Sequence, residues 1–474
     1  MTRLTPLLVE VYDKSSTESL AQCASSLLVI STTFSGIVLA RIATHNISNN
    51  CIRYLIEFVL IVVPGVLIVT NLGSDYGAHY MAIMVLLFAI FICHTRSLGL
   101  ARRRQTFDMG ARPTTLTVVR ALTHIITAIC ILAIDFNSFH RPFRKSPGFG
   151  AHLMDSGIGL FVVTMGLVSR RPRNCADVRR SLLWSVLPLL MLGTGRTVII
   201  MAIEYGQDAH EYGEHLNAFF TLGFTKLLGT MLSAMVCSDF QYLLVAFGLL
   251  FAHQLGLSHG ISDYIMNEDN PRSSVFSANR EGLLSLPGFV VLYLISMYFS
   301  RWLMSKTILS YAEMIKRLRT MLFIMLLCWG LFVISAYLFG VSRVSCNFGY
   351  VVWIFGIIST MLWLTMFIFD FIINTVLPLP TSTISDTLDE GIPLTHSTPQ
   401  NHSKTIHSGF LICDALNMNG LTFFMIANVL TGCVNMFLSP ENRSNSASVG
   451  ILLVYMLLAT GVAYILFKKR IRIA

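Results

Sequence analysis

The sequence is short of charge. Of its 474 residues, 12% are Asp, Glu, Lys or Arg and 54% are hydrophobic. That is roughly half the charged share of an ordinary globular domain. A water-facing surface cannot be built from so little, which excludes the two- or three-domain soluble protein that length alone would imply. The ten cysteines form no Cys-x-x-Cys pair and no metal-ligand spacing. Most of them (Cys23, Cys93, Cys130, Cys237, Cys328, Cys413, Cys433) sit inside apolar runs, where cysteine serves as a small buried hydrophobe. This argues against a disulfide framework and against a zinc site. No Ser-His-Asp arrangement for a covalent serine mechanism is apparent. There is no basic patch with interleaved aromatics for nucleic acid. No tandem repeat and no inverted halves of the transporter kind are present. A cleavable signal is not expected either: the first residues are mixed in charge (Arg3, Glu10, Asp13, Lys14, Glu18), and the run Leu20 to Ala40 is too long for a signal core.

What the chain does have is apolar runs from end to end. A membrane helix needs about 20 apolar residues. Thirteen runs meet that need, near 20–40, 54–70, 78–95, 114–134, 151–169, 181–203, 214–236, 239–257, 283–304, 319–341, 348–377, 408–438 and 448–467. The expected fold is all-α and polytopic, a single multi-pass membrane domain over 1–474. The second span is short, and the eleventh and twelfth are long enough to tilt or carry a break. A Ser/Thr/Pro-rich acidic segment, 378–405, reads as a flexible linker. With the N-terminus outside the cytosol, 22 of the 34 Lys and Arg fall in cytosolic segments, nine in lumenal ones and three within spans. This excess of positive charge predicts a lumenal N-terminus and a cytosolic C-terminus. The net charge of +9 has the same cause. The sequon Asn442-Arg-Ser444 then falls on the lumenal side, where glycosylation is open to it.

Three polar clusters share the lumenal side. The first is Asp135 to Asp155, where Asp, His, Arg and Lys concentrate in a loop broken by Pro and Gly. The second runs from Glu204 through His210, Glu211 and His215 to Asn217. Its spacing matches no standard metal motif. The third runs from His253 through Asp263 and Glu268 to Asn279, Arg280 and Glu281. Ionisable groups this close to hydrocarbon are costly and commonly functional. In the first loop, Asp135 ends a membrane helix, where partial burial raises a carboxyl towards a useful base. Lys145, ten residues on, can hold a developing oxyanion. An interfacial ion pair between the two explains the same pattern equally well. A transporter or flippase, and a non-catalytic subunit of a membrane complex, remain alternatives at this point.

The first loop resembles the glycosylphosphatidylinositol (GPI) inositol acyltransferases of the PIG-W type. That family has Asp-Phe-x-x-Phe-Pro-Arg-Arg-Phe-Ala-Lys followed by Leu-Met-Asp-x-Gly-x-Gly. Here the segment reads Asp135-Phe-Asn-Ser-Phe139-His-Arg141-Pro-Phe143-Arg144-Lys145, then Leu153-Met-Asp155-Ser-Gly157-Ile-Gly159. The proline is shifted, and Arg144 stands in place of alanine. Three further segments are similar to family motifs in the same order. They are Glu211-Tyr-Gly-Glu-His215-Leu-Asn217, Asn279-Arg280-Glu-Gly-Leu-Leu-Ser-Leu-Pro-Gly, and Asn417-Met-Asn419-Gly-Leu followed by Ala427-Asn428, Thr431-Gly432 and Asn435. The resemblance implies transfer of a fatty acyl group, usually palmitoyl, from acyl-CoA to the inositol 2-hydroxyl of glucosaminyl-phosphatidylinositol in the endoplasmic reticulum. By the same resemblance Asp135 is the base and Lys145 its oxyanion partner. Arg141, Arg144, His152, Asp155, Glu211, His215, Asn217, Asn279, Arg280, Asn419 and Asn428 line the substrate sites, and cytosolic arginines near Arg102 or Arg170 meet the CoA phosphates. Acyl-CoA enters as co-substrate, and no cofactor or metal is expected. A lumenal loop and a cytosolic donor then require a path for acyl-CoA between the two sides.

Overall fold

The computed structural model describes residues 5–97, 106–109, 113–202, 209–236, 238–267, 269–376 and 409–473. The expected linker 378–405, together with Arg102, Glu204 and Glu268, lies outside the described residues. Thirteen apolar helices carry the fold. They are α1 Glu18–Ala43, α2 Asn50–Ile68, α3 Ser74–Arg96, α4 Thr114–Ala133, α5 Leu153–Leu167, α6 Cys175–Ala202, α7 Ala218–Met235, α8 Asp239–Met266, α9 Arg280–Leu303, α10 Tyr311–Leu338, α11 Phe348–Ile373, α12 Gly420–Leu438 and α13 Asn445–Lys468. All but α5 are long and apolar enough to cross a membrane. The chain is an all-α multi-pass membrane protein, with one small addition. Strands β1 (Thr106–Asp108) and β2 (Ile308–Ser310) pair antiparallel, Phe107 opposite Leu309.

The twelfth apolar run does carry a break. It splits at Asn419 into a short helix, Leu411–Met418, and α12. Glu57 of α2 caps the short helix, accepting from the amides of Leu411 (3.0 Å) and Ile412 (2.8 Å). A carboxylate is favoured there by the free N–H groups of a helix start. The eleventh run is distorted too, with a π-helical segment at Met366–Ile373. Other charges at membrane depth also find interior partners, as the cost of a bare charge in lipid requires. Arg120 donates to Asn417, Asp370 accepts from Thr115, and Lys226 donates to Ser169 and Tyr293.

The centre of the bundle is α4, α5, α9 and α11, with α1 packed against them, and most of their side chains are buried. Helices α3, α6, α8, α10 and α12 leave wide apolar faces exposed, as lipid-facing helices do. The turns gather into two sets. The segments near 70, 137–152, 211, 341–343 and 441 bond to one another, while those near 108, 307, 419 and 471 pair at the other end. The first set and the segments near 108, 307 and 471 fall in loops that the Lys and Arg distribution assigns to opposite sides, whereas Asn419 falls inside the expected twelfth span.

Helix α5 has 15 residues, about 22 Å at 1.5 Å per residue. A hydrocarbon core is about 30 Å thick. The loop before α5 makes up depth, and its side chains show how. Phe136, Phe139, Phe143, Ala151 and Leu153 are all buried. Loop 134–152 is therefore an apolar-anchored plug sunk beside the helices, with its polar groups held between the anchors.

Candidate active site

Asp135 stands two residues past the end of α4, in a turn where its amide donates to the carbonyl of Leu132 (3.2 Å) and that of Phe136 to Ala133 (3.1 Å). The end of α2 holds the next residues from the other side. Asn71 donates to the carbonyl of Ser138 (2.8 Å), and His140 donates its amide to the carbonyl of Val69 (3.0 Å). Phe139 and Phe143 meet edge to face. With the aromatics turned inward, Asp135 is half-buried. Its Oδ2 accepts from Nδ2 of Asn435 on α12 at 2.8 Å. Burial raises the Asp135 carboxyl above the usual aspartate range, while the Asn435 donor and the nearby Lys145 charge pull it back down.

Asp135 and Lys145 do not form an ion pair in this structure. Lys145 Nζ pairs instead with the carboxylate of Glu211, from the second polar cluster, and both groups keep some exposure. Glu211 lies on a one-turn helix, Ala209–Tyr212, which ends at Gly213. The glycine has φ +98, and a Cβ there would stand 2.5 Å from Cα of Asn279. Only glycine fits both the conformation and the space.

Beneath this pair lies a buried charge network. Asp155, in the first turn of α5, accepts from the amide of Ser146 (3.1 Å) and from Nε of Arg343 (3.1 Å). Both Asp155 and Arg343 are almost wholly buried. The Arg343 guanidinium lies over the Tyr212 ring (5.6 Å) and reaches towards the Glu211 carbonyl (3.5 Å). Burial opposes the Arg343 charge, but the Tyr212 ring face and the Asp155 and Glu211 carboxylates around it outweigh that and hold the guanidinium protonated. Burial raises the Tyr212 phenol, so it stays neutral. Tyr350 completes the support. Its hydroxyl donates to the Asp155 carbonyl (2.7 Å) and accepts from the Gly159 amide (3.1 Å), standing in an i→i+4 link of α5. A Cβ on Gly159 would meet that hydroxyl at 2.7 Å, which gives the second glycine of Asp155-Ser-Gly-Ile-Gly159 a physical reason.

The expected site residues separate into groups. Asp135, Lys145, Asp155 and Glu211 are brought together with His152, whose Nδ1 bonds the Arg144 carbonyl and so pins the loop. Arg141 and Arg144 are exposed, and among the described residues their guanidinium groups have no hydrogen-bond or ion-pair partner. His215, Asn217 and Asn279 brace the adjoining turn. His215 donates its amide to Asn279 Oδ1 (2.9 Å). Asn217 caps α7 through the Phe219 amide (3.0 Å) and donates to the Gly193 carbonyl (2.9 Å). Arg280 is fully buried; its two terminal nitrogens donate to the carbonyls of Asn270 (3.1 Å) and Asn267 (2.9 Å), and its Nε lies 3.4 Å from the Glu281 carboxylate. Asn419 lies at the opposite end of the bundle, exchanging bonds with Ile471 and Ile473. Asn428 is midway along α12 and donates to the Phe424 carbonyl (2.7 Å). Three residues outside the expected set stand in the site: Arg343, Tyr350 and Asn435. Arg343 was open to notice as a lone charge between two apolar runs. Asn435 was visible only as part of a motif. Tyr350 carried no signal. Among the described residues no cluster of His, Cys, Asp or Glu is placed to hold a metal ion.

A partly buried carboxylate, a nearby ammonium and a set of neutral donors suit proton removal from a hydroxyl and stabilisation of an oxyanion. The comparisons with known proteins point the same way. A sequence model of the GWT1 family matches residues 11–466. The GPI-anchored wall transfer protein 1 of Schizosaccharomyces pombe is 32% identical over 377 residues, 78% of this chain and 75% of that one. Its namesake in Aspergillus fumigatus is 31% identical over 390 residues, 76% of this chain and 73% of that one. The mouse glucosaminyl-phosphatidylinositol-acyltransferase PIGW is 26% identical over 455 residues, 87% of each. With its family match running nearly from end to end, this chain belongs to the GWT1 family.

Proposed function

We propose that this protein is the acyltransferase that moves a fatty acyl group, palmitoyl by the family resemblance, from acyl-CoA to the inositol 2-hydroxyl of glucosaminyl-phosphatidylinositol during GPI-anchor synthesis. The observation that carries the reading is Asp135. It is a half-buried carboxylate at the end of a membrane helix, close to the Lys145 charge and anchored by Asn435. Its depth suits the head group of a lipid still seated in the bilayer.

In this mechanism Asp135 removes the proton of the inositol hydroxyl as its oxygen attacks the thioester carbonyl. Lys145 has three donor hydrogens, and Glu211 takes one of them. Another is free for the tetrahedral oxyanion. The carbon–sulfur bond then breaks, and the CoA thiolate leaves and takes up the proton passed back from Asp135. Asp155 and Arg343 keep the loop and Glu211 in register. One face of α5 supports a place for the acyl chain. Met154, Gly157, Phe161 and Met165 are incompletely buried at helical spacing, and Phe424 of α12 closes over Phe161. A Cβ on Gly157 would meet only Thr127, at 3.9 Å.

The same reading places the protein in the endoplasmic reticulum membrane, N-terminus in the lumen and C-terminus in the cytosol, with acyl-CoA as co-substrate and no cofactor. The direct test uses membranes carrying the protein, labelled palmitoyl-CoA and glucosaminyl-phosphatidylinositol. An inositol-acylated glycolipid that depends on both substrates is the expected product. Its absence with correctly inserted wild-type protein overturns the reading.

A further inference from the structure

We infer that Asn435 is part of the acceptor site: its amide positions Asp135, and its carbonyl oxygen receives a second hydroxyl of the acceptor ring. The inference rests on Asp135 as the base. Asn435 Nδ2 donates to Asp135 Oδ2 at 2.8 Å. The other side-chain atom, Oδ1, is buried and has no hydrogen-bond partner among the described residues. The reverse orientation of the amide would set that oxygen against the carboxylate, so the donor must face Asp135. Buried acceptors left empty are rare in folded proteins and call for an explanation.

The surroundings supply one. Helix α12 is loosely packed, with only Gly420, Phe423 and Ala427 buried along it. Yet its far end is tied to the loop at Asp135 twice, by Asn435 and by the Glu441 carbonyl, which accepts from Asn137 Nδ2 at 2.6 Å. One turn before Asn435, Thr431 donates to the Ala427 carbonyl (3.0 Å), and Tyr455 of α13 donates to the Ala128 carbonyl on α4 (2.9 Å). Asn435 is thus held beside the base by its own bond and by the Glu441 tie, with one acceptor empty among the described residues. Its donor occupies Oδ2 of Asp135 and leaves Oδ1 for a substrate proton. A polyol with adjacent hydroxyls satisfies both open acceptors at once: one hydroxyl gives its proton to Asp135, and its neighbour donates to Asn435 Oδ1. In a phosphatidylinositol the 2-hydroxyl has the phosphodiester on one side and the free 3-hydroxyl on the other. The 3-hydroxyl is therefore the group that Asn435 reads, and Asn435 acts both as a substrate contact and as a positioning residue for Asp135.

The test compares wild type, Asn435→Ala and Asn435→Ser, full-length in membranes. The acceptors are glucosaminyl-phosphatidylinositol and its 3-deoxyinositol analogue, at saturating palmitoyl-CoA. Wild type should reject the analogue by roughly tenfold or more in kcat/KM, because the analogue leaves the buried acceptor empty. Asn435→Ala should lose roughly ten- to hundredfold with the natural acceptor and little more with the analogue, so that its discrimination falls towards one. The acid limb of its kcat/KM profile should move to higher pH, since the donor that favours ionised Asp135 is gone, while KM for the acyl donor stays put. Asn435→Ser, too short to reach, should behave alike and serves if Asn435→Ala does not fold. A wild type that accepts both acceptors equally, or a folded Asn435 variant that keeps full discrimination, overturns the inference. A fully active Asp135→Asn overturns instead the base assignment on which it rests.

Discussion

Replacing Arg343 by Met removes a buried cation and leaves Asp155 with one hydrogen bond in place of two. Both side chains are nearly inaccessible, at 4% and 0% exposure, so water cannot take over. Breaking one partner of a buried pair costs about 3–5 kcal/mol. A second route gives a similar size. The stranded carboxylate can escape by taking a proton, and adding a proton to an ordinary aspartate at pH 7 costs about 4 kcal/mol. The penalty therefore saturates near that value and shrinks as the pH is lowered. Asp155→Asn differs, because the arginine left behind cannot shed its proton. Its penalty should stay flat with pH. The double variant Asp155→Leu/Arg343→Met should recover much of the loss, since neither charge is then stranded. The assay is denaturant unfolding of the purified protein in mixed micelles, followed by tryptophan fluorescence, at several pH values. An Arg343→Met protein within about 0.5 kcal/mol of wild type, the range of an ordinary surface change, would refute the network as described.

Other expectations follow from single positions. Gly157→Leu fills the open space on α5 beside Thr127; transfer of long acyl chains should fall at least tenfold while short ones are spared, read from product chain length. Gly159→Ala drives a methyl group to 2.7 Å from the Tyr350 hydroxyl and Ile354 and should cost about 1–3 kcal/mol of stability by overpacking, measured by the same unfolding assay. Burial raises the Asp135 carboxyl in the folded protein, so protonation favours the fold. That contribution is present at low pH and lost as pH rises through the raised value. Asp135→Asn should therefore raise the unfolding midpoint at neutral pH even as activity is lost. The acid limb of the wild-type rate should lie above the usual aspartate range.

The spans were legible because an apolar run of the right length has few other uses. Even the interruption of the twelfth was visible as excess length, although its break at Asn419 was not located. The central loop was legible from its charge and its motif. What composition did not show was how each polar group is spent. Arg280 and Asp155 look alike in a sequence as charges near a membrane. One is taken up by two backbone carbonyls and the neighbouring Glu281 carboxylate, whereas the other organises the site through a residue 188 positions away. The alternative pairing of Asp135 with Lys145 was reasonable at ten residues' separation. It gave way to Glu211 and Asn435, partners 66 and 300 positions distant. Periodicity and spacing report local neighbours, and this site is assembled almost entirely from distant ones.

The account's central claim is that Asp135 takes the acceptor's proton while Lys145 holds the oxyanion. The most direct measurement is the single-turnover rate of acyl transfer at saturating palmitoyl-CoA and glucosaminyl-phosphatidylinositol for wild type, Asp135→Asn and Lys145→Met, with glycolipid binding measured alongside. Both variants should bind the glycolipid within a few-fold of wild type and slow the chemical step by about 10²-fold or more. An Asp135→Asn protein that transfers at the wild-type rate contradicts the claim.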